Sequence, residues 1–260
     1  MRGGARRPGV RAGVPRARRL QRAQHAVCVV LGMLVPAETV ARTADTCDLV
    51  GARYTEPTTR YAHGVLGDAI EHGALELTFA NPARTVTLRL PQERVFEDTA
   101  ARIVDVDADG CAEVVVVESH RNQGARLAIY GADGLIAATP YIGRTNRWLA
   151  PVGVADLDGD GRVELAYIDR PHLAKTLRVW RFDNGDLHEV ASRQGFTNHR
   201  IGERDIAGGV RRCGKGPELI VANADWSRLM AVTLNGKTLT SRTIGTQTGR
   251  ADFAAALQCK

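Results

Sequence analysis

Aromatic residues are scarce, at 5% of 260, and no apolar run approaches the roughly 18 residues that a membrane-crossing helix needs. The first shortage, set beside 27 glycines, argues against a helical bundle and for a turn-rich β chain. The second excludes a transmembrane helix. Zinc-type spacing is missing: there is no CxxC and no paired Cys/His motif. A nucleophile elbow, a phosphate-cradling glycine loop and a His-rich metal motif are missing too. Hydrophobic residues make up 44% and charged residues 25%, so a packed core is available and wholesale disorder is excluded.

Acid is nearly absent from the N-terminal stretch. Residues 1–41 hold Glu38 and eight arginines: Arg2, Arg6, Arg7, Arg11, Arg16, Arg18, Arg19 and Arg22. The whole chain carries +6; setting those residues aside leaves 27 basic against 28 acidic side chains, a net of −1. The remainder is therefore no nucleic-acid binder on bulk electrostatics. The basic stretch is followed by a short apolar run (AVCVVLGMLV, residues 26–35), then Pro36 and the small residues Thr39-Val40-Ala41. That order reads as a cleaved signal peptide over 1–41, leaving a domain over 42–260 that is periplasmic or extracellular. Four cysteines remain in it, Cys47, Cys111, Cys213 and Cys259, an even number that suits disulfides in an oxidising compartment.

An internal repeat organises the rest. RIVDVDADGCAEVVVVES (102–119) and VGVADLDGDGRVELAYID (152–169) match closely. Weaker copies run over 63–80 and 201–223, closing on Glu76 and Glu218 as the strong copies close on Glu113 and Glu164. Each copy reads as short strands: apolar before the acidic loop, apolar after it, then an alternating pair joined by a tight turn, as at Asn184-Gly185 and Asn235-Gly236. The run 114–117 is apolar on both faces, as for a strand packed on two sides. The fold class expected is all-β, a β-propeller of about four four-stranded blades, with a fifth blade made from both chain ends as the alternative.

The acidic loops read Asp105-x-Asp107-x-Asp109-Gly-x-x-Glu113 and Asp156-x-Asp158-x-Asp160-Gly-x-x-Glu164. Alternate residues of a tight loop aim oxygens inward, and position seven, Cys111 or Arg162, would add a backbone carbonyl. Such hard, all-oxygen coordination suits Ca²⁺, and about two ions are expected. An EF-hand would need a Glu at position twelve, where Val116 and Tyr167 stand, and flanking helices. The weaker copies have lost the ligands: Ile70 and His72 replace two of them in one, and Arg211, Arg212 and Lys215 fill the loop of the other.

These loops resemble the FG-GAP/VCBS repeats of integrin-α-type propellers, on DVDADGCAEVVVV and DLDGDGRVELAYI. The resemblance implies Ca²⁺ between the first two strands of a blade and an extracellular binding or adhesion role. Glu113 and Glu164 depart from it, standing where Asp is usual. In a closed ring the last blade meets the first, so Cys47 and Cys259, which bracket the domain, are expected to bond.

Aligning the copies gathers a second set at the opposite face: Arg60, Tyr61, His120, Arg147, Trp148, Arg170, His172, His199 and Arg200. Arginine forks and aromatic faces around a channel mouth suit a small anionic ligand, a carbohydrate or a protein partner. The first reading is a Ca²⁺-stabilised exported binding module. The alternatives are a hydrolase or lyase working at the same mouth, and a structural subunit of an envelope complex. An enzyme would hold a His–carboxylate pair within hydrogen-bond reach there; a structural subunit would expose a large apolar patch.

Overall fold

In the computed structural model, the residues described are 47–260. The expected signal peptide lies outside them. The strands fall into four consecutive sheet units, followed by one short helix. Unit one holds β1 (Leu49–Thr58), β2 (Glu71–Ala80) and β3 (Ala83–Arg89). Unit two holds β4 (Arg94–Phe96), β5 (Arg102–Val104), β6 (Glu113–His120), β7 (Gly124–Gly131) and β8 (Gly134–Ala138). Unit three holds β9 (Leu149–Ala155), β10 (Glu164–Asp169), β11 (Thr176–Asp183) and β12 (Asp186–Gln194). Unit four holds β13 (Phe196–Thr197), β14 (Gly209–Arg212), β15 (Pro217–Asn223), β16 (Leu229–Asn235) and β17 (Thr238–Gly245), and α1 (Arg250–Leu257) follows it. All pairings are antiparallel, and a single bridge between His72 of β2 and Phe96 of β4 joins units one and two into one eight-stranded sheet.

The second strands of units two, three and four are buried on both faces, that of unit one on one face, and their period of two decides which neighbour each side chain meets. Val114 and Val116 of β6 pack with Leu75 and Leu77 of β2. Val115 and Val117 face the other way, onto Leu165 and Tyr167 of β10. Ala166 and Ile168 of β10 then meet Leu219 and Val221 of β15. Ile220 and Ala222, on the last face of β15, are covered by Phe253 and Ala256 of α1. Fully burying each such aliphatic side chain is worth about 1.5–3 kcal/mol, so stacked faces hold the units in series. The outer face of unit one is finished with ion pairs, Arg53–Glu76 and Arg89–Glu56.

The first strands of units two and four are interrupted. β4 and β5 both pair with β6, and residues 97–101 leave the sheet between them. β13 and β14 both pair with β15, with residues 198–208 between. Side chains from the breaks bond nearby strands: Asp98 Oδ2 accepts from Val117 N of β6 at 3.1 Å, and Asn198 Nδ2 donates to Pro151 O of β9, in unit three, at 3.0 Å. The interruptions carry Glu97, Asp98, Asn198 and His199 into the interior.

Two sequence expectations need correction. Cys47 bonds Cys111, and Cys213 bonds Cys259, so the ends are not tied to each other. Cys47 precedes β1, which packs beside β5, and so lies next to the loop after β5; Cys259 follows α1, which rests on β14 and β15. Residues 63–66, read as the first strand of the weak copy, form turns instead, and β1 pairs with β2 in their place. The chain ends in one short helix, α1, capped where Asp252 accepts from Gly249 N at 2.9 Å.

Candidate metal loops and mouth pocket

The two acidic loops each join a first strand to a second strand, and they fold alike. Gly110 and Gly161, at φ +89° and +87°, make a turn that a side chain would strain. Their N–H groups donate to Asp105 Oδ2 and Asp156 Oδ2, both at 3.0 Å. Glu113 Oε2 accepts from Val106 N at 3.0 Å, and Glu164 Oε2 accepts from Leu157 N at 2.8 Å. These bonds bring Asp105, Asp107 and Glu113 together in one loop and Asp156, Asp158 and Glu164 in the other, each trio offering oxygens within 4.8 Å of one another. Asp109 and Asp160, read as inward ligands, stand outside the trios. Asp109 Oδ1 accepts from Cys111 N at 2.8 Å, and Asp160 Oδ1 accepts from Arg162 N at 2.9 Å.

The loops differ in what faces the carboxylates. Asp105 Oδ1 is buried and has no hydrogen-bond partner among the described residues. Its counterpart Asp156 Oδ1 accepts from Gly159 N at 2.7 Å. Over the second loop lies Arg181 of β11, the cross-strand partner of Glu164. Its Nε donates to Glu164 Oε1 at 2.5 Å, its Nη2 to Asp158 Oδ2 at 2.8 Å, and its Nη1 sits 3.2 Å from Asp160 Oδ2. A hard cation fits the first loop at Asp105 Oδ1, beside Asp107 and Glu113, which already have interactions of their own. It fits the second only in competition with a guanidinium.

At the other end of β6 and β10, four of the expected mouth residues meet. Arg147, Trp148, Arg170 and His172, with His63 and Asn146, line a cavity of about 30 Å³, room for one water. Arg170 is held bidentately by the buried Asp169, at 2.6 and 3.0 Å. The Arg147 guanidinium makes no ion pair among the described residues. Burial, and then the adjacent His199, lowers His172 to about 4, so it is neutral near pH 7 and the arginines supply the charge.

The remaining mouth residues go elsewhere. His199 is fully buried beneath the cavity, with Nδ1 3.1 Å from His172 Nε2 and its ring 4.9 Å from that of Trp148. Arg60 donates to Arg94 O at 3.0 Å and covers Gly73, tying units one and two. Tyr61 is buried, its hydroxyl accepting from Asn146 N at 2.9 Å. His120 packs edge-on to Tyr141, and Arg200 lies 3.7 Å over the Trp226 ring on unit four.

Glu97 is a candidate site residue that the sequence reading passed over. It is fully buried, with Oε1 2.6 Å from His63 Nδ1, Oε2 accepting from Ser119 Oγ, and its carbonyl accepting from Trp148 Nε1 at 2.9 Å. The contact orients the His63 ring and aims its Nε2 away from the carboxylate. Beside it, Glu71 is pushed up to about 9, first by burial and then by Glu97, Asp68 and Asp98. The one signal in the sequence was an acid pair, Glu97-Asp98, directly after an apolar strand.

Residues 105–167 match the FG-GAP-like repeat family. The match spans both acidic loops and the strands between them. No curated protein matches the chain. Among solved structures, the exotype rhamnogalacturonan lyase YesX is similar over 65% of this chain, at 16% identity and a TM-score of 0.39. This chain spans 40% of that protein's length.

Proposed function

We propose that the protein is an exported, Ca²⁺-stabilised β-propeller in which the four sheet units are blades, and that it binds a small anionic ligand at the channel mouth. The FG-GAP-like match and the stacked faces of successive units support the propeller. The two disulfides support export, and residues 1–41 supply the signal peptide for it. Among the described residues no helix is long and apolar enough to cross a membrane. The exposed large apolar residues are spread over all four units (Val50, Ile70, Ile103, Leu135, Leu173, Ile201), which gives a purely structural subunit little support.

Asp105, Asp107 and Glu113 would hold Ca²⁺ in the first loop, and Asp156, Asp158 and Glu164 in the second. The ion supplies charge that lets clustered carboxylates stay ionised. The ligand reading rests on Arg147: a guanidinium without an ion pair among the described residues, beside Arg170 and two histidines in a concave site. An arginine so placed binds carboxylate or phosphate through two parallel bonds. Titrating the protein with acidic oligosaccharides, small carboxylates and inorganic phosphate tests this. Binding that Arg147→Ala abolishes, with the melting temperature unchanged, is expected; the same affinity in Arg147→Ala would refute it.

The His63–Glu97 pair favours a second reading, a hydrolase or lyase. It is the His–carboxylate pair that an enzyme at this mouth requires, with His63 oriented as a base. Turnover of any bound oligosaccharide that is lost in His63→Ala, while binding persists, would select this reading.

A further inference from the structure

We propose that the cleft between units two and three binds a neutral hexopyranose unit of a glycan, with Trp180 as its stacking platform. It is a site separate from the Arg147 cavity, although Arg170 borders both. The cleft encloses about 400 Å³, within the roughly 300–1,000 Å³ of small-molecule sites. Strand register builds one wall. Tyr167 of β10 stands opposite Arg178 of β11, and Trp180 stands between Leu165 on one side and Glu189 on the other. Alternate side chains share a face, so Tyr167, Asp169, Arg178 and Trp180 lie on the face that packs against Val115 and Val117 of unit two. Residues 140–143, which follow β8, form the other wall. The other interfaces are filled at the same positions. Aligned on the closing glutamates, Trp180 and Arg178 correspond to Tyr130 and Ala128 in unit two and to Val232 and Met230 in unit four. Ala128 and Val232 are fully buried, Tyr130 nearly so, and Met230 packs on the core shared by units three and four. Unit three instead places a half-buried tryptophan and an arginine there, and the space stays open.

The charges lining the cleft cancel. Asp169 accepts from Arg170 at 2.6 and 3.0 Å and from Arg178 Nε at 3.0 Å, and Arg178 Nη1 donates to Glu189 Oε2 at 2.7 Å. Two arginines against two acids leave no net charge to attract an anion, and an apolar ligand would cut these groups off from water. A pyranose meets both conditions. Its C–H face covers an indole, while its hydroxyl rim accepts from guanidinium N–H groups and donates to carboxylate oxygens. The aromatic groups are already held in place. Trp180 Nε1 donates to the Tyr167 hydroxyl at 3.1 Å, and the Tyr141 hydroxyl donates to Glu118 Oε1 at 2.8 Å, with Arg126 lying 4.6 Å over the Tyr141 ring. Side chains fixed beforehand lose little freedom when a ligand binds, so more of the contact energy appears as affinity.

The test uses the purified full chain, with saturation-transfer NMR and calorimetry against the methyl glycosides of glucose, galactose, mannose and N-acetylglucosamine, and galacturonate as the charged control. Saturable binding of at least one neutral glycoside is expected, with galacturonate bound no better than the galactoside. Trp180→Ala should weaken that binding by at least about tenfold through loss of the stacking surface, while Arg147→Ala leaves it unchanged. Trp180→Phe covers the case where the alanine variant folds poorly: it keeps a ring and most of the affinity, but should abolish the glycoside-induced change in tryptophan fluorescence. Glu189→Ala, at the rim, should cost a few-fold. No saturable binding of any neutral glycoside, or binding unmoved by Trp180→Ala and Glu189→Ala, would overturn the proposal and leave the anionic-ligand reading at Arg147 intact. Glycoside binding lost in Arg147→Ala but kept in Trp180→Ala would move the sugar to the mouth and overturn it as well.

Discussion

The acidic loops at 105–113 and 156–164 share a motif, a turn and nearly every backbone hydrogen bond, yet they are different electrostatic objects. One keeps a buried carboxylate oxygen without a donor among the described residues; the other has a glycine N–H on that oxygen and a guanidinium across its mouth. The motif fixes the loop. What the loop can bind depends on the residue opposite its closing glutamate, one strand away. Matching loop sequences are thus evidence for matching folds, and weaker evidence for matching affinities.

The comparison breaks most visibly at Arg181. In chelator, Arg181→Met strands Glu164 and Asp158 without a cation and should cost about 3 kcal/mol by urea denaturation. Excess Ca²⁺ should restore most of it, because the vacated trio can then take the ion. A loss that Ca²⁺ does not restore would mean that the arginine only packs.

Next in size is the metal's own contribution. An ion that binds only the folded loop adds about 2.7 kcal/mol at a hundredfold excess over its Kd. Thermal melts with and without Ca²⁺ should lose most of this gain in Asp107→Ala and little of it in Asp158→Ala. Equal losses would erase the distinction between the loops.

The far end of the molecule provides a control. Glu71 is raised from 4.5 to about 9, so the folded state holds its proton more tightly than the unfolded state does. The stability this gives is fully present at low pH and declines as pH rises from 4.5 toward about 9. Glu71→Gln should flatten that decline, equally with and without Ca²⁺. A Ca²⁺-dependent change in slope would mean that the two ends are coupled.

The smallest effect expected is at position four. Gly159→Ala copies Ala108, which already sits at φ 60° in the first loop. It should cost under about 1 kcal/mol, measured by urea denaturation, because both loops accept the left-handed turn there.

Local pattern carried much of this architecture. The hairpin turns at Asn184-Gly185 and Asn235-Gly236 join the strands they were expected to join, since two-residue turns and period-two burial are written in neighbouring residues. The acidic trios were legible for the same reason. Long-range placement was not. The pairing of Cys47 with Cys111 depends on β1 lying beside β5, which no spacing encodes. Glu97 enters the interior because the first strand of unit two breaks, and a broken strand reads like a loop. Nothing in the alternation of 177–182 singles out Arg181; only the ladder register sets it against Glu164. The mouth was half legible: Arg147, Trp148, Arg170 and His172 converge, whereas Arg60 and Arg200 hold the backbone and Trp226.

The most direct test is a crystal structure of the full chain grown with one equivalent of Ca²⁺. That ion is expected on Asp105, Asp107 and Glu113, with Arg181 still on Glu164. An ion on Asp156, Asp158 and Glu164, with Arg181 swung away and the first loop empty, would contradict it.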